Sequence, residues 1–330
     1  VVLSRGLGDV YKRQAPMFLA SGPELVIACC RAGIVGSFPA KNPRTLDGLD
    51  EWLTVIGEGI ASPGRRAPAP FAVNLIVHRS NDVVEGELDL CVRHQVPIVI
   101  TSLGAVSELV DRVHAYGGLV FHDVINLRHA GKAIDAGVDG LIAVAAGAGG
   151  HTGRASPFAL VNEIRQVFDG TLLLSGAMAT GVDIAAAQMM GADLAYLGTR
   201  FIGTRECRAK DGYKEMIVES SLSDIVETNR VSGVNASFLA PSLADAGLHE
   251  GNGVTAELEI ASELADALDE QGEKRAWRDI WSAGQGVGSI KDLPGVDELV
   301  SRLEAEYYDA CTAQAARVAA LAAGQDFSER

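Results

Sequence analysis

A histidine in a glycine-rich turn is the residue best placed for chemistry. In Leu141–Pro157, LIAVAAGAGGHTGRASP, a short apolar run leads to Gly147, Gly149, Gly150 and Gly153, with His151 among them and Ser156-Pro157 after. Such a run reads as a buried strand entering a loop, and Ser-Pro offers an N-cap and a favoured first helical residue. His151 therefore stands just past the C-terminal end of a strand, where repeating strand-helix proteins bind ligands. Glycines there let the backbone approach a flat or charged molecule. Imidazole titrates near neutrality and serves as general base or hydrogen-bond donor; outside such a loop, a lone histidine is a solvated or packed residue. Gly147, Gly149 and Gly153 imitate a dinucleotide fingerprint, but Thr152 holds the place of its third glycine, which argues against a Rossmann site.

The other expected strand ends carry Met17, Ser37, Asn74, Ser102, His122, Gly176 and Gly198. Ser175-Gly176-Ala177 precedes a helix that Thr180 and Asp183 can cap, and Gly198-Thr199 closes the last strand. Amides of these two loops, with a helix N-terminus, make the usual phosphate site of a barrel; alternatively the glycines are turn residues. Asn74, within FAVNLIV, is either a satisfied core amide or a contact to a cofactor ring edge. His122-Asp123 and His129 show no three-ligand spacing, so no metal site is expected. Ser and Cys nucleophiles are set aside: there is no GxSxG elbow, and no cysteine lies in a glycine loop beside a base.

These loops require a frame, and the apolar pattern predicts it. Gln14–Leu19 can supply only the end of a first strand, closing on Pro16-Met17, and strands are expected at Ile34–Phe38, Phe71–Val77, Pro97–Ser102, Leu119–Val124, Gly140–Ala145, Thr171–Leu174 and Leu194–Leu197, with helices between. Nearly all are apolar without alternation, as in parallel strands covered by helices. The prediction is an α/β protein: a (β/α)8 TIM barrel with an added C-terminal helical lobe. Residues 15–205 form the barrel core, 206–280 an inserted helical or irregular lobe with a charged helix at Glu257–Arg278, and 281–330 a C-terminal segment whose helix, Val296–Ala323, packs back on the barrel. Residues 1–14 lack a helical or strand period and an initiator Met. They read as a non-native or scar segment and stay outside the fold argument.

With 330 residues, 48% of them hydrophobic, a large core is affordable. A net charge of -15 argues against nucleic acid or an anionic membrane as partner and leaves a small molecule. The 5 cysteines, odd in number and without metal spacing, suggest reduced packed thiols in a cytoplasmic protein. No apolar stretch has membrane-span length, and no secretory signal is evident.

Together, APMFLASGPEL, FAVNL, GAGGHTG, SGAMATG, GADLAYLGTRF and IWSAGQGV resemble the nitronate monooxygenase family, formerly 2-nitropropane dioxygenases, from Ala15 to about Ala310. The resemblance implies an FMN-dependent barrel that oxidises alkyl nitronates with O2 to a carbonyl compound and nitrite. His151 takes the place of the catalytic histidine. Gly176, Gly198 and Thr199 match the FMN-phosphate loops, with Gly149, Gly150, Ser175 and Ala177 beside them; Met17 and Asn74 match positions lining the flavin, and Gln285 a further contact. This chain departs from the family at three places. Ser175-Gly176-Ala177 stands for Ala-Gly-Gly, His122-Asp123 is unusual at strand five, and Gly147 stands where many members carry an acidic residue. A divergent subgroup is implied, acting on a nitronate-like small molecule and O2, with a homo-oligomer left open. Two alternatives stand beside it: an enoyl-acyl-carrier-protein reductase using NAD(P)H, and a flavin-binding barrel without this activity. A phosphate-sugar isomerase or lyase would want a lysine or paired carboxylates at the strand ends.

Overall fold

The computed structural model describes residues 12–61, 67–78, 81–231, 233–248 and 278–323. Its centre is a ring of eight parallel strands: β1 (Lys12–Gln14), β2 (Gly36–Pro39), β3 (Phe71–Ile76), β4 (Ile98–Ser102), β5 (Leu119–Val124), β6 (Gly140–Val144), β8 (Thr171–Ser175) and β9 (Leu194–Leu197). They lie in the order β1-β9-β8-β6-β5-β4-β3-β2. At the seam, Arg13 bridges to Val35, and the Gln14 N–H donates to the Val35 carbonyl at 2.9 Å. The Ser37 N–H donates to the Gln14 side-chain oxygen at 2.6 Å, so β1 and β2 close the sheet into a TIM barrel.

Both faces of the strands are covered, which is why the sequence shows runs rather than alternation. Val35, Ala72, Ile100, Phe121, Ile142 and Leu173 fill the interior. Val73, Leu75, Val99, Val120, Leu141 and Leu172 meet the surrounding helices. The helix Gly181–Met189 begins with a full capping box of Thr180 and Asp183. Against it lies the closing helix Val296–Ala322, packed through Val296, Leu299, Val300 and Leu303. A Cβ at Gly181 would meet the Leu303 carbonyl at 2.2 Å, so only glycine permits this approach.

Two expectations require correction. The first strand is Lys12–Gln14, inside the segment set aside on sequence, and it ends at Gln14 rather than closing on Pro16-Met17. Backbone pairing selects it: Lys12, Arg13 and Gln14 register with Ala195, Tyr196 and Leu197. The stretch after the barrel is not merely helical and irregular. It holds a hairpin, β10 (Ile225–Thr228) and β11 (Ala236–Leu239), and β11 also pairs antiparallel with β7 (Gly150–His151). The expected Glu257–Arg278 helix, apart from its last residue, lies outside the described residues, as do residues 1–11.

Candidate active site

A cavity of about 650 Å³ opens at the C-terminal ends of the strands, within the usual range for small-molecule sites. Met17, Asn74, Gly149, Gly150, His151, Ser175, Gly176, Ala177, Gly198 and Thr199 all line it. The wall also passes through Gly284 and Gly286, on either side of Gln285. Gln285 itself is exposed, and its backbone N–H donates to the Gly147 carbonyl at 2.9 Å. The sequence reading thus names residues that the fold brings to one place from β3, the end of β8 and the loops after β1, β6, β8 and β9.

The small sheet positions the histidine. His151 pairs with Ala236 and Gly150 with Ser237, while the Thr152 N–H donates to the Asn235 carbonyl at 3.2 Å. Two glycines bring the rest of this loop into contact with its neighbours. The Gly147 carbonyl, at φ +86°, accepts from the N–H groups of both Ala177 and Gln285. A Cβ at Gly149 would meet the Gly284 nitrogen at 2.7 Å and the Thr199 Oγ1 at 3.1 Å. Thr199 Oγ1 in turn accepts from the Gly284 N–H at 2.8 Å. His151 is exposed at the cavity wall, yet desolvation by the protein around it lowers its pKa, so the neutral imidazole prevails at pH 7.

The departures at 147 and 177 lie side by side. A Cβ at Gly147 would lie 3.0 Å from the Ala177 Cβ and 2.9 Å from the Gln285 amide oxygen, and the φ of +86° there favours glycine over any other residue. Ala177 itself sits in the left-handed region at φ 56°, where a Cβ costs about 1–2 kcal/mol and glycine costs none.

The anion cradle differs from expectation in one respect. The start of the Gly181–Met189 helix is filled by carboxylates. Asp183 accepts from the Ala179 and Thr180 N–H groups, both at 2.9 Å, and Glu306 accepts from Gly181 at 2.7 Å. A phosphate would therefore rest on the Gly176 loop and on the short turn Thr199–Ile202, where the Phe201 and Ile202 N–H groups donate to the Gly198 carbonyl and those of Thr199 and Arg200 are left for a ligand. Space for a ring fits beside it. A Cβ at Gly198 would reach only Ala15 at 3.7 Å and the Met17 Sδ at 3.8 Å, ordinary contacts at the edge of the cavity. Asn74 is a satisfied amide, its Nδ2 donating to Ser102 Oγ at 2.8 Å and to the Ile100 carbonyl at 3.3 Å, and it lies on the cavity wall. A phosphate-bearing, flat, partly apolar group such as a flavin fits this donor set.

The family model for nitronate monooxygenase matches residues 68–306. The chain belongs to the nitronate monooxygenase family. A nitronate monooxygenase of Paraburkholderia phytofirmans is 27% identical over 89% of this chain and 91% of its own length. A hydroxy-methyl-oxo-octahydroindene-carboxyl-CoA dehydrogenase of Rhodococcus jostii is 25% identical with the same coverage. Among solved structures, nitroalkane oxidase from Streptomyces ansochromogenes superposes with a TM-score of 0.76 at 25% identity, covering 93% of this chain and 98% of that one. FabK from Thermotoga maritima, at 24% identity, a TM-score of 0.79, and coverage of 94% and 96%, shares the fold. The protein is thus a flavin-dependent oxidoreductase of small molecules, divergent within its family. No helix among the described residues is long and apolar enough to cross a membrane.

Sequence reasoning did not foresee the hairpin that holds His151, nor Glu306 at the helix start. It also set no role for Asp123, which lines the cavity.

Proposed function

We propose that this protein is an FMN-dependent monooxygenase that oxidises alkyl nitronates with O2 to a carbonyl compound and nitrite, His151 acting beside the flavin. The observation that carries the reading is His151 itself, pinned by a three-stranded sheet at the wall of a cavity built from the glycine loops of a nitronate monooxygenase family member. When bound, the flavin supplies the electron acceptor and, once reduced, the reactivity toward O2. The Thr199–Ile202 turn and the Gly176 loop would hold its phosphate, and Met17 and Asn74 would border its ring. His151 donates an N–H to the nitro oxygens and fixes the carbanion-like substrate; the bound anion restores proton affinity that desolvation removes. Lys132 and His129 line the same cavity, in which Asp123 is the one carboxyl among the described residues, so an acidic protein presents a mouth that accepts anions. The buried, unpaired Cys29, Cys30, Cys91 and Cys207 agree with a cytoplasmic setting.

Purified protein loaded with FMN should consume O2 and release nitrite on addition of an alkyl nitronate, without pyridine nucleotide. Consumption of NADH or NADPH with an enoyl thioester, together with silence toward nitronates, would replace this reading with the reductase.

A further inference from the structure

Asp123 remains outside the proposed mechanism. It ends the inward row of β5 after Phe121 and lines the cavity. Its Oδ2 accepts from Ser102 Oγ at 2.6 Å, and Ser102 Oγ accepts from Asn74 Nδ2 at 2.8 Å, a chain across three adjacent strands. Its Oδ1 is sealed from solvent and accepts no hydrogen bond among the described residues. An ionised carboxyl leaves that oxygen uncompensated, and a proton on Oδ1 removes the negative charge from the site. Burial accordingly raises the Asp123 pKa to about 6, against the lowering effect of Ser102.

Lys132 and His129 line the same cavity, but among the described residues neither hydrogen-bonds nor pairs with the carboxyl, and the other titratable groups around it do not cancel its charge. Tyr196 of β9 interacts electrostatically with both Asp123 and Arg13 of β1. Arg13 makes no hydrogen bond with the carboxyl and lies over the Phe121 ring. His122, adjacent on β5, bonds through Nδ1 with Thr101 Oγ1 at 2.7 Å, and burial lowers its pKa to about 4, so it is neutral.

We propose that Asp123 takes up a proton when the flavin in this cavity is reduced, making this carboxyl a determinant of the cofactor's potential. The inference rests on the flavin placement proposed above. In balance, two electrons and one proton convert oxidised flavin to its anionic reduced form, and a second proton from solvent bonds to Asp123 Oδ1. The reductant is the nitronate in turnover, or a mediator dye in the test. The cause is like-charge repulsion in a water-poor site, which raises the pKa of the carboxyl when the ring gains charge. By linkage the ionised carboxylate opposes reduction. The midpoint potential then falls more steeply with pH between the carboxyl pKa of the oxidised enzyme and that of the reduced enzyme.

The test is a mediated spectroelectrochemical titration of FMN-loaded wild type and Asp123→Asn from about pH 5 to pH 9, with FMN affinity measured beside it. At about pH 8 the Asn variant should favour reduced flavin at least tenfold more than wild type, about 30 mV for a two-electron couple. The two curves should converge at about pH 5, where the wild-type carboxyl is protonated in both redox states. Ser102→Ala, which removes the bond to Oδ2, should move the wild-type break to higher pH and serves if the Asn variant misfolds. Curves that superpose throughout, or a Ser102→Ala break that stays in place, overturn the proposal and leave the flavin site standing. A wild type that binds no FMN overturns the placement beneath it.

Discussion

Replacing His151 with Asn should lower turnover with an alkyl nitronate by about 10²–10⁴-fold, the range for losing a positioned donor or proton carrier, while FMN stays bound. The side chain lies at the cavity wall and fills no core position, so its removal leaves no internal void. The backbone of the loop is fixed separately, by the register of Gly150 and His151 with Ser237 and Ala236. The Thr199–Ile202 turn, proposed to hold the phosphate, is tied to Gly284 through Thr199 Oγ1, which the substitution does not touch. Steady-state kinetics beside a flavin-binding titration separates the two effects. Full activity in the Asn variant would remove the imidazole from the chemistry; loss of flavin together with activity would make it a structural residue.

The second large effect concerns stability. Arg13 points into the barrel beside Val35, Phe121 and Tyr196, in a layer that is otherwise apolar except for the Tyr196 hydroxyl. Its Nε, Nη1 and Nη2 find no hydrogen-bond partner among the described residues, and burial lowers its pKa to about 10. Its compensation is the Phe121 face at 4.4 Å, an interaction of about 2 kcal/mol when desolvated, against several kcal/mol for burying an unpaired ion. Arg13→Met keeps the volume and removes the charge. It should raise stability by about 1–4 kcal/mol and Tm by about 2–8 °C. A Tm that falls would mean that the guanidinium has an unrecognised partner. The gain should shrink as pH rises through about 10, because the neutral Arg13 side chain no longer carries the cost.

What was legible in the sequence follows from how far each feature reaches along the chain. Leu119–Val124 and Leu194–Leu197 match their observed bounds because a strand buried on both faces needs only a local apolar run. The Thr180–Asp183 cap is also local, and both partners of the box are present. The hairpin is different. β10 and β11 are four residues each, and β11 meets its further partner in the two-residue β7, too short for any periodicity to show. Glu306 reaches Gly181 from 125 positions away, so the filled helix start could not be read from the motif around it. Asp123 was noticed only as a departure at strand five. Its sealed Oδ1 depends on the neighbours that the barrel brings together. The candidate site was legible for the opposite reason: glycines needed for close approach cluster in the loops that carry it.

Anaerobic addition of an alkyl nitronate to the FMN-loaded protein, followed by visible absorption, tests the central claim most directly. The expected result is loss of the oxidised-flavin bands in wild type and retention of those bands over the same interval in His151→Asn. Bands that persist in wild type with nitronate but vanish with NADH or NADPH would contradict the account.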